Sequence, residues 1–337
     1  MSKPLMEKSK YIEDLRKIDD NYKIMNSMRP LPKSGVDYFV KEFSISTAHS
    51  SNAIEGNTFT YDETRLLLEK GIESGAHSFR EKMDIVGYKQ GFNLLYTALK
   101  NGRKIDEEFI KELHTYVLFG DEEAGKYRTI QNYIGNLSRV VYTPCSPKYV
   151  PEEMAKYVEK LNADFQNNQE RLKDNDIDWN SLFHNLAEHH IAFERIHPFI
   201  DGNGRTGRLL LTYEMISLGL LPVDIRYEER KRYEAGFSSY HDKEKYSSRS
   251  ESKTEKMAQL LAECELKSME LWNKTFEEYK QDSSEQRAKA GAGLGKELKA
   301  KKEQKKAEER RASVEEYKRT TEQAHAPNSA GKDENGR

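Results

Sequence analysis

Apolar residues recur along most of this chain at three- and four-residue intervals, the period of an amphipathic helix. One such stretch runs from about Val36 to Ala53. Thr60-Tyr-Asp-Glu63 has the spacing of a capping box, and the helix it opens carries Leu66, Leu67 and Leu68 and stops near Gly71. The same period predicts helices from about Arg80 to Lys100, ending at Asn101-Gly102, and from Asp106 to Phe119, ending at Gly120. The pattern then changes. Tyr133 to Pro151 mixes β-branched and aromatic residues with Gly and Pro, which predicts a short hairpin or flap. Pro151 suits the first turn of a helix running to about Phe165, and Gln166 to Asp178 reads as a polar loop.

Helical spacing returns from Trp179 to Ile196, with Leu182, Leu186, His190 and Phe193 on one face. A helix from about Gly204 to Leu218 is almost continuously apolar from Leu209 to Ile216, which marks it as the buried central helix. Two more helices follow, at about Glu228–Tyr240 and Lys253–Tyr279. From about Gln281 the chain has almost nothing to bury, and Ala288 to Arg311 reads as an exposed single helix or a disordered tail. The fold class is therefore all-α, a helical bundle with a small β-hairpin flap. The expected partition is an N-terminal helical region at 1–100, a core at 101–245, a C-terminal helix at 246–280 and a charged tail at 281–337.

Composition narrows the functions available. Charged residues make up 33 % of the chain, yet the net charge is only −2, so the molecule is not a polyelectrolyte aimed at nucleic acid. The two cysteines, Cys145 and Cys264, provide neither a disulfide framework nor a CxxC metal site. His189 and His190 are adjacent and point to different helix faces, and no HExxH spacing occurs, so zinc is not expected and His190 belongs in the core. No apolar run approaches the ~18 residues of a membrane span, and the first thirty residues hold no apolar signal core. The expectation is a cytoplasmic protein that does not engage the membrane.

The chemistry concentrates in His197-Pro-Phe-Ile-Asp-Gly-Asn-Gly-Arg-Thr-Gly-Arg208. Gly202 and Gly204 let successive backbone N–H groups converge on an anion at a helix start, where the helix dipole adds to the attraction. Arg205 and Arg208, three apart on the first turn, are placed to reach one polyphosphate from one side. Asp201 is a carboxylate beside that nest, the usual protein anchor for a Mg2+ that bridges to a nucleotide. His197 lies just upstream and suits a general base acting on a hydroxyl. Together these residues describe a cation-assisted phosphoryl site with a base.

This segment resembles the Fic-domain (Fido) signature, His-x-Phe-x-Asp/Glu-Gly-Asn-Gly-Arg-x-x-Arg, at every fixed position. The resemblance covers roughly residues 30 to 275. It implies a protein adenylyltransferase that moves AMP from ATP, with Mg2+, to a Ser, Thr or Tyr hydroxyl of a target protein. By the same resemblance His197 deprotonates the target, Phe199 anchors the loop and Asp201 holds Mg2+. Gly202, Asn203 and Gly204 form the anion hole. Arg205 meets the nucleotide phosphates and Arg208 the γ-phosphate, with Thr206 and Gly207 completing the nucleotide-binding stretch. Gly125-Lys-Tyr-Arg128 and the segment from Gly135 to Pro151 resemble upstream family elements, of which the flap holds the target. Tyr233 resembles a position near the adenine.

Ser51-Asn-Ala-Ile-Glu55-Gly56 matches the family's inhibitory pattern, Ser/Thr-x-x-x-Glu-Gly/Asn. Ser51 and Glu55 are four apart, on one helical face. A glutamate reaching Arg208 would compete with the γ-phosphate, so the chain is expected to be autoinhibited. Two rivals remain at this point: hydrolytic removal of AMP with Glu55 orienting a water, and a non-catalytic interaction module working through its tail. A homo-oligomer is compatible with the sequence.

Overall fold

Why the N-terminal half is helical is written in its caps. The computed structural model describes residues 3–27, 33–136, 139–174, 176–241, 253–274 and 304. Residues 1–276 form one compact unit and 277–337 another. The elements described below all belong to the first unit; the tail expectation at 281–337 falls outside the described residues, Gln304 apart. Helices α1 (Lys3–Ser27), α2 (Lys33–Ile54), α3 (Tyr61–Lys70), α4 (Phe79–Lys100) and α5 (Glu107–Val117) come first. Thr60 caps α3 in the capping box expected of it, and Ser78 and Glu81 build a second one on α4. Asp106 caps α5 through the N–H of Phe109.

A short antiparallel pair comes next, β1 (Ile134–Asn136) and β2 (Arg139–Tyr142), with a register irregularity at Ile134/Gly135. Then come α6 (Val150–Lys173), α7 (Trp179–Ile196), α8 (Asn203–Ser217), α9 (Arg230–His241) and a last described helix, α10, over 253–274. Among the described residues no helix is long and apolar enough to cross a membrane.

Helix α8 is the centre of the bundle, as its apolar run predicts. It touches α2, α4, α5 and α7, and Arg205 through Met215 are all buried. Burying each of Leu209, Leu210 and Leu211 stabilises the fold by about 1.5–3 kcal/mol. Where α4 crosses α5, Gly87 lies directly on the main-chain oxygen of Tyr116, leaving no room for a side chain. A buried charge cluster ties three helices together. His189 of α7 is held between Glu214 of α8, at 2.7 Å, and Asp164 of α6, at 3.0 Å. Burial alone would lower the His189 pKa, but the two carboxylates raise it to about 9.

One expectation needs correction. Helix α6 does not end near Phe165; it continues to Lys173, so the loop before α7 is short. Gln166, Glu170, Arg171 and Leu172 are good helix formers, Gln166 bonds Glu170 at 3.1 Å, and Asn168 and Leu172 pack inward. The polar composition described an exposed helix face rather than a loop. The first thirty residues, part of the N-terminal region expected to be helical, contain α1. Its inward residues Tyr11, Leu15, Ile18, Tyr22 and Met25 recur at intervals of four and three, and Trp179 of α7 donates to Asp19 at 3.0 Å.

Two measurements check this packing. Gly87→Ala forces α4 from α5 and is expected to cost on the order of 1–3 kcal/mol in urea unfolding. His189 has a folded pKa raised from 6.5 to about 9, so its stabilisation is full below 6.5 and disappears as pH rises through about 9. The stability difference between wild type and His189→Gln is expected to shrink over that window.

Candidate active site

The site is built where α7 ends and α8 begins. The N–H of His197 closes α7 on the carbonyl of Phe193 at 3.0 Å. His197 then turns left-handed, with φ 49°, the one non-glycine residue at positive φ among those described. That conformation is uncommon for a side-chain-bearing residue, so the surroundings must hold it. Arg128 does so. Its guanidinium donates to the carbonyls of His197 at 2.7 Å, Ile196 at 3.3 Å and Cys145 at 2.6 Å, which joins the base of the β1–β2 segment to the end of α7.

Phe199 next inserts into the core. It is fully buried and stacks flat on His114, centroids 3.6 Å apart. His114 accepts from the N–H of Gly125 at 2.9 Å through Nδ1, leaving Nε2 to meet the carbonyl of Asp201, also at 2.9 Å. Asn203 closes the loop: its Oδ1 accepts from the N–H of Phe199 and its Nδ2 donates to the carbonyl of the same residue, both at 2.9 Å. The Asn203 side chain is therefore a loop clamp, and its contribution toward an anion is its backbone.

Gly202 caps α8 in the left-handed region, φ 73°, with no side-chain acceptor on the first-turn N–H groups. Such an end attracts anions. An anion is already there. The Glu55 carboxylate sits in direct contact range of the position a Gly204 side chain would occupy, with Arg208 Nη1 3.1 Å from the same point. Glu55 Oε1 accepts from Arg208 Nη2 at 2.7 Å.

Arg208 is almost entirely enclosed. Its Nε donates to Ser51 Oγ at 2.8 Å, Nη2 to the Ser51 carbonyl at 3.0 Å, and Nη1 to the Tyr233 hydroxyl at 3.3 Å. Burial disfavours its charge, but Tyr233 and Glu55 outweigh that and hold its pKa above the ordinary value. Tyr233 in turn meets His190 Nε2 at 2.7 Å. Burial and the neighbouring Arg208 lower the His190 pKa to about 3, so this core histidine stays neutral.

The turn after Glu55 is fastened separately. Asn57 donates to the carbonyl of Glu81 at 2.9 Å, and the N–H and hydroxyl of Thr58 both donate to Glu81 Oε1, at 2.9 and 2.6 Å. The two bonds from Thr58, with those from Ser78, hold the Glu81 pKa down to about 2.

The two arginines do not share one side of the pocket. Arg205 is buried and ion-paired to Asp84 of α4, with Asp201 at 3.6 Å, whereas Arg208 faces α2. Asp201 is the exposed member at 58 %, accepting from the Gly202 N–H at 2.6 Å and from Arg80 at 2.9 Å. Thr206 is fully buried, and Gly207 lies against Phe193 and Glu194. Gly135 is in β1, at φ 143°.

His197 is partly covered, at 21 % exposure, with Nδ1 3.2 Å from the carbonyl of Glu194. Burial lowers its pKa to about 4, and it is unprotonated at neutral pH. Sequence reasoning does not reach Arg80, Asp84, His114 or Glu194. Arg80 and Asp84 carry only an ordinary i,i+4 charge signal, and Glu194 only its place one helical turn before His197.

Residues 104–215 match the model of the Fic/DOC family. The chain is 36 % identical over 187 residues to the protein adenylyltransferase fic-1 of Caenorhabditis briggsae, which is 54 % of this chain and 34 % of that protein. It is 30 % identical over 224 residues to the protein adenylyltransferase Fic of Nematostella vectensis, covering 66 % of this chain and 48 % of that one. The matches thus span a third to a half of these relatives' own length. Among solved structures, residues 134–508 of Fic-1 from C. elegans superpose with a TM-score of 0.61 at 28 % identity, over 81 % of this chain and 74 % of that one. A Fic-domain-containing signaling protein from Bacteroides thetaiotaomicron gives 0.66 at 24 % identity, over 78 % and 97 %, a likeness of fold.

Tyr233→Phe removes one oxygen that serves both Arg208 and His190. It is expected to cost about 1–3 kcal/mol, read as a lowered midpoint in chemical denaturation.

Proposed function

We propose that this chain, a Fic/DOC-domain protein related to the protein adenylyltransferases, transfers AMP from ATP to a hydroxyl of a target protein and is held back by Glu55. The observation that carries this reading is the Glu55 carboxylate lodged between the first turn of α8 and Arg208. A pocket that accepts a carboxylate there, on open helix N–H groups and a buried guanidinium, is complementary to phosphate oxygens.

The reaction joins the target oxygen to the α-phosphorus as the bond to the β-phosphate oxygen breaks, releasing pyrophosphate. His197 takes the hydroxyl proton. Its Nδ1 faces the Glu194 carbonyl, so the proton there leaves the Nε2 lone pair for the target. The first-turn N–H groups at Asn203 and Gly204 receive phosphate oxygens, that of Gly202 being held by Asp201, and Arg208 receives the γ-phosphate once Glu55 withdraws. Arg205, fixed by Asp84, adds its charge from the other side of the helix start. Thr206 and Gly207 support this turn from within the core. Tyr233 acts by fixing Arg208, beside the adenosine. The β1–β2 segment with Gly135 serves as the flap along which an extended target segment pairs.

Magnesium fits this donor set in one way. Among the described residues no group of three metal-ligating side chains exists, and Asp201 is a single exposed carboxylate. That suits Mg2+, which keeps most of its waters and leans on substrate phosphates. Bound there, it would neutralise polyphosphate charge. The partition of labour follows the chain: 1–100 restrains, 101–245 catalyses, 246–280 buttresses. A cytoplasmic setting suits an enzyme that draws on ATP.

In the restrained state ATP phosphates and Glu55 compete for Arg208, and a modest misplacement costs ~10²-fold in rate. Glu55→Gly is expected to raise self-modification with α-labelled ATP by that order, and His197→Ala in the same background to abolish it. Equal labelling of wild type and Glu55→Gly would overturn the inhibitory assignment.

A further inference from the structure

Arg80 sits where a cation is out of place. It is the second residue of α4, and the positive end of the helix dipole disfavours an arginine in the first turn. Three carboxylates compensate. Arg80 Nη2 donates to Asp201 Oδ2 at 2.9 Å, Nε donates to Asp84 Oδ1 at 3.4 Å, and Nη1 lies 3.6 Å from Asp121 Oδ2. The Arg80 side chain is 53 % exposed, so charge rather than packing keeps it there.

Asp201 has both oxygens engaged. Its Oδ1 accepts from the Gly202 N–H at 2.6 Å and lies 3.6 Å from Arg205 Nη2. Its Oδ2 is the one held by Arg80. Arg205 pairs in turn with Asp84, which closes a ring of alternating charge: Arg80, Asp201, Arg205, Asp84. The two arginines differ in freedom. Arg205 is buried, whereas Arg80 lies at the surface and has Asp121 as a further partner. The other oxygen of Asp121 is already fixed by the N–H of Glu123 at 2.9 Å.

The oxygen that Arg80 holds is one that an Asp201-anchored Mg2+ would take. Both ionic halves of a magnesium polyphosphate thus have a counterpart inside the chain. The Glu55 carboxylate on Arg208 corresponds to phosphate, and the Arg80 guanidinium on Asp201 corresponds to the divalent cation.

We propose that Arg80 is a positioning residue for the metal carboxylate: it competes with Mg2+ for Asp201 Oδ2 and moves onto Asp121 when it yields that oxygen. The inference rests on the reading of Asp201 as the Mg2+ anchor. The step exchanges one ion pair for another, and no covalent bond changes. An exposed pair holds weakly, by about two- to fivefold in an equilibrium constant. Arg80 therefore raises the Mg2+ requirement of the site without closing it.

The test measures binding rather than transfer. In the Glu55→Gly background, α,β-methylene-ATP is titrated calorimetrically into the full chain, once in EDTA and once in excess Mg2+. The ratio of the two affinities is compared between variants. Arg80→Gln is expected to raise the ratio about two- to fivefold. Arg80→Lys, which keeps a cation within reach of Asp201, is expected to bring it back toward the unsubstituted value. In Asp201→Asn, which leaves no charge to compete for, Arg80→Gln is expected to leave the ratio unchanged. A ratio that falls or stays constant in Arg80→Gln would overturn the proposal. So would an equal rise in the Asp201→Asn background, since the Arg80 charge would then be acting at a distance.

Asp121→Asn supplies the opposite sign. With no carboxylate there to receive Arg80, the ratio is expected to fall about twofold, and to do so only while Arg80 is present. A fall of the same size in Arg80→Gln would overturn the transfer to Asp121. Because the nucleotide is not turned over, these outcomes stand apart from the proposed activity. An Arg80 effect in a protein that transfers no AMP would refute the activity and leave the competition standing. Affinities that Mg2+ alters in none of the variants would overturn the metal assignment of Asp201 and the role of Arg80 with it.

Discussion

Arg208 is the constraint on which the rest of the site depends. A guanidinium removed from water is tolerated only if its donors are met. Here Ser51 offers a hydroxyl and a carbonyl, Tyr233 a hydroxyl and Glu55 a carboxylate. Those partners come from α2, from α9 and from the turn after α2, so satisfying one cation fixes three parts of the chain around α8. Each partner has a second duty. Tyr233 engages His190, and the turn beyond Glu55 is fastened to Glu81. The arrangement with Glu55 on Arg208 is thus the electrostatically complete one when no phosphate is present.

The motif loop solves a different problem, that of presenting a histidine in a conformation histidine seldom adopts. Three side chains carry it. Arg128 gathers the carbonyls at the end of α7, Asn203 locks Phe199 from both sides, and His114 supports Phe199 from below. Because Phe199 is buried in the bundle core, the geometry of His197 is inherited from core packing rather than from the loop itself. That explains why the segment is legible as a unit in sequence: each residue is required by a neighbour within it or by α5.

How much the sequence discloses depends on how local each signal is. The cap at Thr60, the glycine stop after α3 and the buried run in α8 depend on a few consecutive residues, and the structure has them where the sequence predicts them. Glu55 and Arg208 can be paired across 153 positions because each belongs to a recognisable pattern, and their contact is present at 2.7 Å. The extent of α6 is hidden because its outer face is polar, and polarity does not distinguish a loop from an exposed helix face. The motif spacing sets Arg205 beside Arg208, but Asp84 on α4 draws it away; no local pattern announces a partner 121 residues distant. Glu194 escapes notice because a lone glutamate on a helix usually faces water.

The seam between α2 and its neighbours has one more consequence. Toward the end of α2, Ser44, Thr47, Ser50, Ser51 and Asn52 are all buried, interleaved with Ile45, Ala48, Ala53 and Ile54, and Lys89 and Asp224 reach in to Ser44 and Ser46. Parting such a seam would exchange internal hydrogen bonds for bonds to water as well as uncover Ile45 and Ile54. The polar part of that surface would offset some of the heat-capacity change that its apolar part carries. The hold of α2 on its neighbours therefore depends in part on contacts that solutes competing for hydrogen bonds and charge can weaken.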